Sequence, residues 1–130
     1  MNQKNKIGLA ACSGMSAYGL VSRVTSADIV EEIDNVISIC MGATAADRTG
    51  FQSLIRKYPI MAINGCDGNC ALKILEQKGV KPVQNINIMA ELNKKNFKPT
   101  DVSRLDKNGE LCVEEIKSKI KNELKRFKKN

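Results

Sequence analysis

Lys6-Ile7-Gly8-Leu9-Ala10-Ala11 carries no charge after its first residue and ends at the cluster Cys12-Ser13-Gly14-Met15-Ser16. A short apolar run closed by Gly and Ser reads as a buried strand, and Ser13 or Ser16 can cap the helix that follows. That helix is expected over residues 17–33. Its positions Leu20, Val24, Ala27 and Val30 fall at helical spacing, while Arg23, Asp28, Glu31 and Glu32 are read as facing water. Val36-Ile37-Ser38-Ile39-Cys40 is a second strand, rich in β-branched residues and broken by Gly42.

The alternation continues downstream. Residues 47–50 read as a turn or helix start. A short helix over 51–58 then places Phe51, Leu54, Ile55 and Tyr58 on one face until Pro59 stops it. Residues 60–63 form a third strand, Gly65 marks a tight turn, and residues 70–78 form a helix closed by Gly79. A fourth strand is expected over 83–89. Strand alternating with helix predicts an α/β fold: one domain, a mainly parallel four-stranded sheet flanked by helices, three-layered and Rossmann-like. Residues 1–92 carry this unit. Residues 93–130 add a polar connection, with Pro99 and a turn at Lys107-Asn108-Gly109, and then a basic amphipathic helix over 110–129. Its stripe of Val113, Ile116, Ile120, Leu124 and Phe127 is expected to pack on the same domain.

The chain has 130 residues, 42% of them apolar and 27% charged, which suits one soluble domain with a real core. Trp is absent, so Ile, Val, Leu, Met and Ala must build that core. The apolar segment 7–12 is too short for a secretory signal or a membrane span, and a cytoplasmic location is expected. Five cysteines, an odd number in a reducing compartment, speak against a disulfide framework. His is absent, so a transition-metal site must rest on sulfur, and the His-rich catalytic zinc arrangements are excluded.

Cys12 follows the first strand, Cys40 closes the second, Cys66 follows the third, and Cys70 lies one helical turn beyond. In a parallel sheet all four fall at the carboxyl edge, where open α/β sheets place their ligand sites. Helix N-termini aimed at that edge favour the thiolate, the form that binds metal or attacks electrophiles. Zn²⁺ with four thiolates carries a formal charge of −2, which the helix ends with Lys73 or Arg23 could offset. Buried thiols used only as small hydrophobes are the plainer reading, and it is the one adopted for Cys112. The C-x3-C spacing of Cys66 and Cys70 is not a zinc-ribbon or thioredoxin motif, but Gly65 and Gly68 let the backbone turn sharply around it.

Those residues resemble the DGC-domain family. The matching pieces are Cys12-Ser13-Gly14 with Ser16-Ala17, Gly19 and Arg23, Cys40-Met41-Gly42-Ala43, and Asn64-Gly65-Cys66 with Cys70-Ala71. The resemblance covers about residues 6–92 and implies a zinc-binding protein with Cys12, Cys40, Cys66 and Cys70 as chelators. Asn64 departs from the family's Asp-Gly-Cys triplet. It can hydrogen-bond but not titrate, which argues against an acid/base role there.

A closed four-cysteine zinc site is structural or serves metal storage or delivery rather than hydrolysis. The alternative is redox chemistry on the same cysteines, through an iron–sulfur cluster or a reversible dithiol. Asp47 and Asp67 could add oxygen ligands, though helix caps and turn formers are the commoner use. Met15, Met41, Met61 and Met89 could ligate a soft metal, though Met more often fills a core. A phosphatase loop would need Arg six residues after Cys12, and position 18 is Tyr. The net charge of +7 could suggest nucleic acid, but +4 of it lies in residues 114–130, without interleaved aromatics. A protein partner or a second copy remains open, with no membrane and no clear small-molecule substrate.

Overall fold

The structure, a computed structural model, describes residues 6–128. The central strands β1 (Ile7–Ala11) and β3 (Ile60–Asn64) are almost wholly buried, as near-continuous apolar strands covered on both faces should be. The edge strands β2 (Val36–Ile39) and β4 (Gln84–Asn87) are shorter and more polar. All pairings are parallel, in the order β2-β1-β3-β4.

On one face lie α1 (Ala17–Glu32), α5 (Ile88–Asn93) and α6 (Lys107–Lys128), packed over Leu9, Met61, Ile63 and Ile86. On the other lie α2 (Met41–Ala45), α3 (Thr49–Lys57) and α4 (Cys70–Gln77), packed over Ala10, Ile60 and Ala62. The expected three-layer α/β architecture is the observed one. Because β1 connects outward to β2 on one face and the chain then crosses to β3 on the other, the strand order reverses between β1 and β3. A crevice at that reversal is where such sheets bind ligands.

Several local expectations need correction. The buried side of α1 is Ala17, Gly19, Val21, Ser22, Thr25, Ser26 and Ile29, not the stripe of Leu20, Val24, Ala27 and Val30. Small residues let the helix sit close to the sheet, and the Ser26 hydroxyl donates to the Ser22 carbonyl at 2.8 Å, its own helix supplying the acceptor. Val24 and Val30 are half-buried against the same core. Residues 41–45 form a short helix despite Gly42, held by the Thr44 hydroxyl donating to the Cys40 carbonyl at 2.7 Å. The fourth strand stops at Asn87, whose side chain accepts from Ala90 N–H and starts α5, so Met89 is helical. The turn expected at residues 107–109 is the first turn of α6, opened by the Asp106 carboxylate accepting from Gly109 N–H at 2.7 Å.

The basic last helix spends part of its charge inside the molecule. Lys117 Nζ lies 2.7 Å from Glu32 and 3.4 Å from both Asp28 and Glu114, and Lys121 Nζ lies 2.6 Å from Glu32. Hydrogen bonds to Glu32 and Asp28 hold the Lys117 ammonium well above the usual lysine range, and Lys117 with Lys121 holds the Glu32 carboxyl low. Beneath this clamp Val113, Ile116, Ile120 and Leu124 are buried, while Phe127 at the end of the stripe is exposed. No helix among the described residues is long and apolar enough to cross a membrane.

Candidate metal centre

Cys12 extends β1 by one residue, its N–H donating to the Ile63 carbonyl at 2.9 Å, and its half-buried side chain packs on the α2–α3–α4 face. Cys40 immediately precedes α2 and is exposed. Cys66 is half-buried in the turn after β3, and exposed Cys70 is the first residue of α4. The two helices that Cys40 and Cys70 open, α2 and α4, touch each other on that same face. The topology therefore gathers the expected cysteines at one edge of the sheet.

Glycines weld the loops that carry them. A methyl group on Gly19 would lie 2.2 Å from the Gly14 carbonyl oxygen, and one on Gly65 would lie 2.9 Å from the Gly19 nitrogen. The Cys12 loop and the Cys66 turn thus both rest, backbone on backbone, against the first turn of α1. Ser16 fixes that turn by accepting from Gly19 N–H at 3.0 Å. A methyl group on Gly68 would lie 3.6 Å from the sulfurs of both Cys66 and Cys70, so those sulfurs flank one small space.

An amide network holds the Cys66–Cys70 turn. Asn87 Nδ2 donates to the Cys66 carbonyl at 2.9 Å and to Asn69 Oδ1 at 3.1 Å. Asn69 adopts φ +53°, a left-handed conformation Asn tolerates better than most residues. Asn64, fully buried, accepts from Leu72 N–H in the first turn of α4 at 3.1 Å and donates to Asn85 Oδ1 at 2.7 Å and the Ile86 carbonyl at 3.2 Å. Asn64 is thus a structural joint between β3, β4 and α4. The alternating Asn85 and Asn87 in Gln84-Asn85-Ile86-Asn87 are the sequence signal for this network.

The donor chemistry suits a thiophilic ion: four free thiols at one edge and no His in the chain. Among the described residues, no three Cys, Asp or Glu side chains stand together as a ready-made ligand set. Cys40 and Cys70, being exposed, are free to change rotamer, whereas Cys12 and Cys66 are more constrained. Asp47 is committed to an ion pair with Lys78 at 2.7 Å, and Asp67 is exposed. Met61 is buried in β3 and Met41 in α2, both in core roles, whereas Met15 projects into solvent. Cys112 is wholly buried in α6. Burial, aided by the Asp106 charge, pushes its thiol pKa up and keeps it protonated.

Fold and edge together define a parallel α/β protein with a thiol-rich carboxyl edge at its strand-order reversal. The family model for the DGC domain matches residues 8–116. The chain belongs to the DGC-domain family, and that membership points to a metal-binding role in general. Searches among curated proteins and solved structures find no match.

Proposed function

We propose that the chain holds Zn(II) through the thiolates of Cys12, Cys40, Cys66 and Cys70, for metal storage or delivery or as a structural centre. The reading is supported by where the four stand in the chain, at the carboxyl ends of β1, β2 and β3 and the first residue of α4, with the Cys12 and Cys66 loops braced against α1 through Gly14, Gly19 and Gly65. Zinc supplies a redox-inert, thiophilic Lewis acid, and four sulfur ligands leave it no open position for water. In this reading Cys12 and Cys66 form the fixed half of the site. Cys40 and Cys70, both exposed, rotate in to close it. A cytoplasmic location would keep the thiols reduced. A delivery role would require a protein partner with competing thiolates, or a second copy of the chain.

A second reading draws on one observation: the Cys66 and Cys70 sulfurs flank the same space over Gly68. There the two thiols would pass two electrons and two protons to an acceptor disulfide, forming a Cys66–Cys70 bond. An iron–sulfur cluster on the four cysteines is the remaining variant.

Elemental analysis of anaerobically purified protein separates these readings. About one zinc per chain is expected in wild type and in Cys112→Ser. Cys12→Ser, Cys40→Ser, Cys66→Ser and Cys70→Ser should each lose most of it. Equal metal content in all five variants overturns the zinc site. Brown protein containing iron selects the cluster, and metal-free protein that loses two free thiols on mild oxidation selects the dithiol.

A further inference from the structure

A crevice of about 280 Å³ opens where β1 and β2 end, between α1 and the start of α2. Its polar lining includes Arg23 from α1, Ser13 from the Cys12 loop and Ser38 from β2, and its apolar floor includes Ala27, Ile39 and Met41. No Asp or Glu lines it. Arg23 is exposed and makes no ion pair with any carboxylate among the described residues. Of the acids further along α1, Asp28 and Glu32 are paired with Lys117 and Lys121, and exposed Glu31 makes no ion pair with Arg23. The crevice therefore presents an uncompensated guanidinium beside two exposed hydroxyls.

We propose that this crevice binds a small organic anion, with Arg23 and the Ser13 and Ser38 hydroxyls holding a carboxylate or phosphate group and the apolar floor taking a short carbon body. A guanidinium offers a planar fork of N–H donors that matches either oxyanion, and hydroxyls can add further donors. The volume falls just below the usual range of ligand pockets, roughly 300–1,000 Å³, which limits the ligand to a small metabolite. Cys40 borders the crevice, so a bound anion would lie next to its thiol. The competing role for Arg23, offsetting thiolate charge at the cysteine edge, requires no ligand. The inference needs no metal at that edge.

Amide-resolved NMR titrations of the full chain with inorganic phosphate and with acetate, at constant ionic strength, test it and tell the two head groups apart. Saturable shifts confined to amides around Ser13, Arg23 and Ser38 are expected with at least one probe, with millimolar affinity. Arg23→Gln should weaken binding at least tenfold. Ser38→Glu, which sets a carboxylate opposite Arg23, should abolish it, and Arg104→Gln on the distant connection should leave it unchanged. Shifts that fail to saturate with both probes, that spread over the α6 lysines, or that keep their affinity in Arg23→Gln overturn the proposal.

Discussion

Replacing Gly19 by Ala tests whether the cysteine loops are held by backbone contact with α1. The new methyl would meet the Gly14 carbonyl oxygen at 2.2 Å, its carbon at 2.7 Å and its nitrogen at 2.8 Å. Carbon–oxygen contacts ordinarily begin near 3.3 Å, so the Cys12 loop must retreat by about 1 Å. All three atoms are main chain, so no side-chain rotation relieves the clash. Overpacking costs about 1–3 kcal/mol, and a main-chain target that can yield only by moving the whole loop belongs at the upper end. Ala recovers up to about 1 kcal/mol of helix propensity. The net loss should be about 2 kcal/mol, lowering the urea midpoint by about 1 M for an m-value near 2 kcal/mol/M. Thiol-reagent kinetics should show Cys12 and Cys66 reacting faster, as the loops part. Gly42→Ala and Gly50→Ala are the controls, because neither methyl would have a neighbour within 4 Å. Both should match wild type or gain up to about 1 kcal/mol. A Gly19→Ala protein as stable as wild type, with unchanged thiol reactivity, would refute the bracing.

Lys117→Met should cost on the order of 1–2 kcal/mol in chemical denaturation, between the values for exposed and buried ion pairs. The raised Lys117 pKa contributes stability below the ordinary lysine range that is lost as pH rises through its folded value. The lowered Glu32 pKa contributes stability above the ordinary glutamate range that is lost as pH falls through its folded value. Wild type should therefore lose stability on acidification below about pH 4.3, and Lys117→Met should lose less over the same interval. Asn64→Asp should destabilise by about 1–3 kcal/mol at neutral pH, because a carboxylate cannot donate to the Ile86 carbonyl or Asn85 Oδ1. The deficit should narrow in acid, where a protonated Asp regains a donor, and a deficit unchanged by pH would contradict that role.

The strand pattern was legible because β1 and β3 are apolar runs bounded by turn residues, and strand ends in a parallel sheet locate Cys12, Cys40 and Cys66 without further information. The inner face of α1 was not, because close approach to the sheet selects Gly19, Ser22, Thr25 and Ser26, which a search for large apolar residues reads as outward. α2 is a single turn with Gly42 in it, and Gly is more often a breaker than a helical residue. The onset of α5 hid in the apolar Ile88-Met89, although Asn87 was a usable capping signal, as Asp106 was for α6. The amide network around Cys66 lay beyond periodicity altogether, since it joins residues about 20 positions apart. The rotamers of exposed Cys40 and Cys70 are set neither by packing nor by pattern, so the edge was legible and the arrangement of its sulfurs was not.

Zinc K-edge absorption spectroscopy of the zinc-loaded protein reads the ligand shell directly. A single shell of four sulfurs at about 2.3 Å is predicted, unchanged in Cys112→Ser. Nitrogen or oxygen scatterers in place of sulfur, or fewer than four sulfurs per zinc, would contradict the four-thiolate centre.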